Sequence, residues 1–356
     1  MTIMTGRKCI PFLFVFLSIA CNRVEDKRFL FEAELTATHR FPMGEPFYPL
    51  RMCIFNDYLI LGTLNSQVSP DYFFQAYQLS DYSYKGSFGR RGRGPGEWNN
   101  PEIVRSSSNS PYLYLFEVSS RELTAVIHKM LLDSTLRLIE EESFLIEKGL
   151  LTFMNRPIIR NDSLLVYDEF APEAAIRVHH LHGELPVITW TYGTTPNTEQ
   201  RFMDVNRGLL LANDSCVMFP YIYQDRIDIM EWNLALKESL NYQKGKPIIH
   251  TGSPDNNVKY YTGSYLGEFF LYAFYSGMSD KELQAKNGVG HTLEVFDMNG
   301  TPVYRYVFPE PLPFPFAVDE RTFTLYGYSI KNGMEDYISV YPLPGLGEYL
   351  QNRPMH

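Results

Sequence analysis

The chain is poor in charge and has no apolar run long enough to cross a membrane. Asp, Glu, Lys and Arg together make up 21% of its 356 residues. That is too little to clothe long solvated helices. The apolar stretch from Ile10 to Ile19 is too short to span a bilayer as a stable helix. There is no low-complexity tract to divide the chain. Cysteine is scarce, with four residues, and two of them, Cys9 and Cys21, lie near the start. Cys53 and Cys216 allow at most one bridge, and each sits in or beside an apolar segment, so both read as buried thiols. Signatures of catalysis are missing too: no nucleophile elbow, no zincin helix and no local carboxylate pair.

What the chain does have is a repeat. An alternating segment reads Phe74-Gln75-Ala76-Tyr77-Gln78-Leu79 and returns as Ile176-Arg177-Val178-His179-His180-Leu181. It comes again from Ile227, Leu293 and Ile338, and in degenerate form as Leu123-Thr124-Ala125-Val126. Before each copy lies a continuously apolar strand, such as Tyr58-Leu59-Ile60-Leu61 or Phe269-Phe270-Leu271-Tyr272. Strands apolar on both faces are covered on both sides. A turn and an outer strand follow, as in Asp297-Met298-Asn299-Gly300 and then Pro302 to Phe308. About four strands every ~50 residues, with no helical period between them, predict an all-β fold. The expected architecture is a six-bladed β-propeller of four-stranded antiparallel blades. Aromatics at 15% suit such sheets. The last unit runs out of sequence after Leu343. The segment Arg28 to Leu35, which has no unit of its own, is expected to close the ring as the missing outer strand of the last blade.

The first residues read as a targeting segment rather than fold. Arg7 and Lys8 precede the apolar run, which fits a secretory signal core ending Leu17-Ser18-Ile19-Ala20-Cys21. Small residues ahead of a cysteine resemble a bacterial lipobox, which implies cleavage before Cys21 and lipidation of its thiol. The expected organisation is a lipoprotein signal peptide at 1–20, a tether at 21–28 and the propeller at 29–356. Cleavage removes Arg7 and Lys8 and no acid, so the mature chain is two units more negative than the −9 of the whole. That balance disfavours nucleic acid and anionic surfaces. The lipid alone would hold the protein at the membrane.

The densest local signal runs Gly86-Ser87-Phe88-Gly89-Arg90-Arg91-Gly92-Arg93-Gly94-Pro95-Gly96-Glu97-Trp98. Its glycines permit turns closed to other residues, and its amides and arginines are suited to an anion. It lacks the Lys-Ser/Thr ending of a phosphate loop. The reading favoured over a site is a stiff connector between blades, with Glu97 capturing an arginine or backbone amides. The stretch from Phe88 to Trp98 resembles the Gly-x-Gly-Pro-Gly-Glu-aromatic segment of the TolB-like six-bladed propeller lipoproteins, exported proteins of Gram-negative bacteria. The resemblance implies a lipid-anchored propeller of the cell envelope. It transfers no catalytic residue.

A second candidate is the aromatic stretch Phe219-Pro220-Tyr221-Ile222-Tyr223-Gln224-Asp225. Such loops share a face with the inter-blade connectors. Exposed tyrosines beside charged groups are suited to stacking on a sugar or gripping a peptide. The expected ligand site is therefore Arg90, Arg91, Arg93, Glu97, Trp98, Tyr221, Tyr223 and Asp225 on one face. His179 and His180 point to opposite faces of a strand and do not share a metal, so no metal and no cofactor is assigned. The leading expectation is a monomeric, non-enzymatic binding module for a protein, peptide or carbohydrate. The runner-up is a hydrolase or lyase with an ion in the central channel.

Overall fold

The computed structural model describes residues 28–45, 47–106, 110–119, 124–146, 154–169, 174–182, 186–192, 204–331 and 335–352. The expected signal peptide, Cys21 and most of the expected tether lie outside these residues. Two short strands come first, β1 (Phe31–Glu34) and β2 (His39–Pro42). Antiparallel meanders follow. The first is β3 (Arg51–Phe55), β4 (Tyr58–Gly62), β5 (Tyr72–Gln78) and β6 (Tyr84–Arg90). The second is β7 (Pro101–Ser106), β8 (Leu113–Ser119), β9 (Thr124–Leu132) and β10 (Leu138–Ile146). The third is β11 (Met154–Arg160), β12 (Leu164–Glu169), β13 (Ala175–His180) and β14 (Pro186–Thr191). Then come β15 (Leu211–Ala212), β16 (Val217–Pro220), β17 (Arg226–Met230) and β18 (Leu236–Asn241). After them run β19 (Val258–Leu266), β20 (Phe270–Ser279), β21 (Thr292–Asp297) and β22 (Pro302–Val307). The last strands are β23 (Phe316–Asp319), β24 (Thr324–Lys331) and β25 (Glu335–Pro342). A short helix, α1 (Asp280–Ala285), opens on a capping box of Ser279 and Glu282 between β20 and β21. Another, α2 (Leu346–Asn352), follows β25.

Every continuously apolar segment of the repeat is a second strand, and every alternating segment a third strand, paired antiparallel. The core explains the pattern. Among the described residues, apolar clusters lie between consecutive meanders. Phe55, Ile60 and Phe74 meet Leu113, Leu115 and Met130. Tyr114, Phe116 and Ile127 meet Ile159, Leu165 and Tyr167. Val166, Ile176 and Val178 meet Val217, Phe219 and Met230. Met218, Ile227 and Ile229 meet Leu266, Leu271 and Phe296, and Phe270, Phe274 and Leu293 meet Phe316, Leu325 and Tyr341. Finally Ala317, Tyr326 and Val340 meet Leu59, Leu61 and Tyr77, so the last meander packs on the first. Each buried side chain of this kind stabilises by about 2 kcal/mol. The innermost strands β23 and β3 also lie side by side. This radial stack of meanders is a β-propeller. Strands β7 and β11 pair in parallel through Ile158 with Arg105 and Ile159 with Ser106, which fuses two meanders into one eight-stranded sheet.

The closing strand differs from the expectation. Residues 31–34 do not complete the last sheet. As β1 they run parallel to β22, as a fifth strand of the preceding sheet. Phe31 stacks on Tyr304 at 5.0 Å, and the Leu35 amide donates to the Val307 carbonyl. Leu35 is then buried in the core beyond. The chain turns, and His39–Pro42 completes the last sheet as β2, antiparallel to β25. Phe41 is the anchor: it is buried and stacks on Tyr82 at 5.3 Å. Pro42 disguised this strand in the sequence, because proline is tolerated only at a sheet edge such as this.

Candidate functional site: two ends of the propeller axis

The first strand of each meander runs from the end holding the inter-meander connectors to the end holding the first hairpins. The glycine-rich connector, between β6 and β7, sits at the starting end. There Gly92 adopts φ +155°, and a Cβ on it would fall 1.8 Å from the Glu97 carboxylate. Glycine is what lets Glu97 fold back. Its Oε2 accepts from the amides of Arg93 at 3.0 Å and Gly94 at 2.9 Å. The amides suited to an outside anion are thus occupied by the loop's own carboxylate. Arg91 is equally committed. Its Nε donates to the Ser69 carbonyl at 2.7 Å and its Nη2 to the Thr63 carbonyl at 3.1 Å. Its guanidinium lies 3.7 Å from the Phe73 ring centroid, and burial pulls its pKa below the usual value. Trp98 is core, edge-on to His128 at 5.0 Å. Arg93 is exposed, and so is Arg90, whose Nε lies 3.6 Å from Glu97.

The loop between β16 and β17 stands at the same end and is also turned inward. Tyr221 is 2% exposed, and its hydroxyl donates to Asp228 at 2.7 Å. Burial, and then that bond, push its pKa above the usual tyrosine range. Tyr223 is buried. Asp225 belongs to a buried ion network. Arg28 reaches it at 3.2 Å and Glu294 at 2.5 Å, and Arg305 meets Glu294 at 3.0 Å. The hydroxyls of Tyr261 and Tyr275 also donate to Asp225. The Arg28 guanidinium rests 4.3 Å from the Tyr242 ring. Arg28, assigned to the tether by sequence, is therefore a bolt in the fold. Burial lifts the Glu294 carboxyl to about 7 against the pull of Arg28 and Arg305.

The polar positions of the repeat signature fill similar roles. Gln75, Asp228, Glu294 and Ser339 are all buried on third strands. Asp228 accepts from Tyr221, Arg226 and Ser239. His179 is buried with Nδ1 2.6 Å from the His180 carbonyl oxygen. Among the described residues no three His, Cys, Asp or Glu side chains converge to hold a metal ion.

The cavity lies at the other end. It measures about 650 Å³ and is lined by the last residues of the innermost strands and the first hairpins, including Cys53, Arg105, Tyr265 and Val318. That volume is ordinary for a small-molecule site. Its rim is stitched from one meander to the next. Asn213 Nδ2 donates to the Gly267 carbonyl at 2.8 Å. Glu320 accepts from the amides of Glu268, Phe269 and Phe270 and from the Tyr272 hydroxyl. Burial nonetheless holds the Glu320 carboxyl above its ordinary range. Arg321 pairs with Asp319 at 2.9 Å and reaches Asp57 at 3.2 Å. Inside, Arg105 on β7 donates from Nη2 to the Leu266 carbonyl on β19, and its guanidinium stacks 3.8 Å from the Tyr265 ring. Cys53 and Cys216 are both free thiols. Burial pushes Cys53 up to about 12 and Cys216 up to about 11.

None of the lining residues was singled out by sequence reasoning as a ligand group. A signal was present: Asn56-Asp57, Asn161-Asp162 and Asn213-Asp214 recur at the first hairpins. Asn56 and Asn161 take the positive φ that such hairpins need.

No family model matches the chain, and no curated protein matches it. Solved structures do. A member of the DUF4221 family from Bacteroides vulgatus ATCC 8482 is similar over 86% of this chain and 97% of its own, with a TM-score of 0.57 and 13% identity. Chaetomium thermophilum Raptor matches over 88% of this chain and 30% of its own, at 0.46 and 12%. The β-propeller domain of Myceliophteria thermophila Cps50 (Swd1) matches over 86% and 99%, at 0.42 and 12%. At such identities the likeness concerns the fold.

Proposed function

We propose that this chain is an exported, lipid-anchored β-propeller of six blades, similar to the TolB-like lipoproteins, and that it binds a small ligand in its axial cavity. Support for six blades comes from the six strand pairs of the repeat and the apolar clusters between neighbours. The eight-stranded sheet then counts as two blades joined at their inner edges. Export and anchoring rest on the apolar run from Ile10 to Ile19 and the small residues before Cys21. The observation that carries the binding reading is the cavity, at the end opposite the arginine-rich connector. The connector's amides and Arg91 are already bonded within the fold, whereas the cavity's wall presents Arg105 and Cys53 to open space.

The experiment is capture. The purified chain is incubated with a cell-envelope extract and analysed by native mass spectrometry. A discrete adduct is expected, lost in Ser110→Trp, which fills the cavity wall, and kept in Arg93→Ala. Loss in Arg93→Ala with retention in Ser110→Trp would overturn the reading. Anchoring is tested separately by Cys21→Ala, which should release the protein from membranes of a Gram-negative host.

A further inference from the structure

We propose that the cavity is selective for an organic monocarboxylate with an apolar body, its carboxylate held by Arg105. This deepens the cavity reading above and rests on it.

The argument is one of unspent charge. Two guanidiniums line the cavity. Arg321, at the rim, is neutralised by Asp319 and Asp57. Arg105, further in, has no carboxylate partner among the described residues. It donates to the Leu266 backbone carbonyl, and its planar face is taken by Tyr265. A guanidinium stacked on a ring keeps its edge for in-plane hydrogen bonds, the geometry that pairs with a carboxylate. Arg105 is half-buried, and a cation partly withdrawn from water gains from an opposite charge. The acids of the lining do not meet that need. Glu320 is spent on the donors of the neighbouring hairpin and Asp319 on Arg321 of its own, and Asp214 and Glu268 are exposed at the rim. One unpaired cation calls for one negative charge, which favours a carboxylate over a multiply charged phosphate. The rest of the wall defines the body of the ligand. Ile54, Ile103 and Tyr112, each only partly buried, offer apolar surface.

The test is a charge series of one shape. Benzoate, benzamide and benzylammonium are titrated by ligand-detected NMR against the full chain and against Arg105→Lys and Arg105→Met. Benzoate should bind saturably and at least about tenfold more tightly than benzamide, with benzylammonium weakest. Arg105→Met should abolish the preference, and Arg105→Lys should keep part of it. Should Arg105→Met fail to fold, the probe ranking in the unmodified chain and in Arg105→Lys decides. Equal binding of benzoate and benzamide, tighter binding of benzylammonium, or a preference that survives Arg105→Met overturns the carboxylate assignment while the cavity reading stands. Absence of saturable benzoate binding also overturns it. The cavity reading falls on its own test, if capture is indifferent to Ser110→Trp.

Discussion

The two ends of the propeller axis treat charge in opposite ways. At the connector end polar groups are numerous and already matched. Glu97 fills the amide nest of its own loop. Arg91 braces the loop between β4 and β5, and Arg28, Asp225, Glu294 and Arg305 form one buried network. At the hairpin end the rim is stitched by its own polar groups, but the innermost cation, Arg105, faces a cavity. Richness in arginine and tyrosine is therefore a poor guide to a binding face. A polar group advertises a ligand only when its partners within the fold have been counted.

The difference has consequences for stability, and the largest is at Tyr221. Its side chain is core, so Tyr221→Ala should cost about 3–5 kcal/mol, read as a lowered midpoint of urea unfolding. A change below about 1 kcal/mol would return Tyr221 to the surface. Next comes the ion network. Burial raises the folded-state pKa of Glu294 from 4.5 to about 7. Between those values the folded state keeps a proton that the unfolded chain releases. The contribution of this group is therefore full below pH 4.5 and is lost as pH rises through 7. Glu294→Gln should flatten the fall in unfolding free energy over that window; an unchanged slope would place the titration elsewhere. Smaller still is the connector itself. Arg91→Ala should cost about 2 kcal/mol through two lost hydrogen bonds and the Phe73 contact. Arg90→Ala and Arg93→Ala should each stay within about 0.5 kcal/mol. Thermal melts of the three variants would break the contrast if Arg93→Ala proved the costliest.

Much of the fold was legible because a propeller repeats one physical problem. Second strands are buried on both faces and third strands alternate, so apolar runs such as Tyr58–Leu61 and signatures such as Leu293–Met298 carry period and order together. What alternation concealed is where the polar positions go. Gln75, Asp228 and Glu294 look solvent-facing by pattern but are buried between neighbouring meanders, with partners from strands or from the start of the chain. Ring closure was hidden for a related reason. Phe29–Leu35 is the more apolar candidate, yet it adds to an edge already four strands wide. The proline-bearing His39–Pro42 completes the last sheet. The cavity was hardest to see. Its lining comes one or two residues at a time from distant hairpins, and an asparagine in a turn is ordinary chemistry.

The most direct test of the account compares the two ends within one assay. The molecule captured from the envelope extract is titrated against Ser110→Trp and against the Arg90→Ala/Arg93→Ala double variant, with both variants first shown folded by circular dichroism. Binding should vanish in Ser110→Trp and be unchanged in the double variant. Binding kept by Ser110→Trp and lost in the double variant would put the ligand at the connector end and contradict the account.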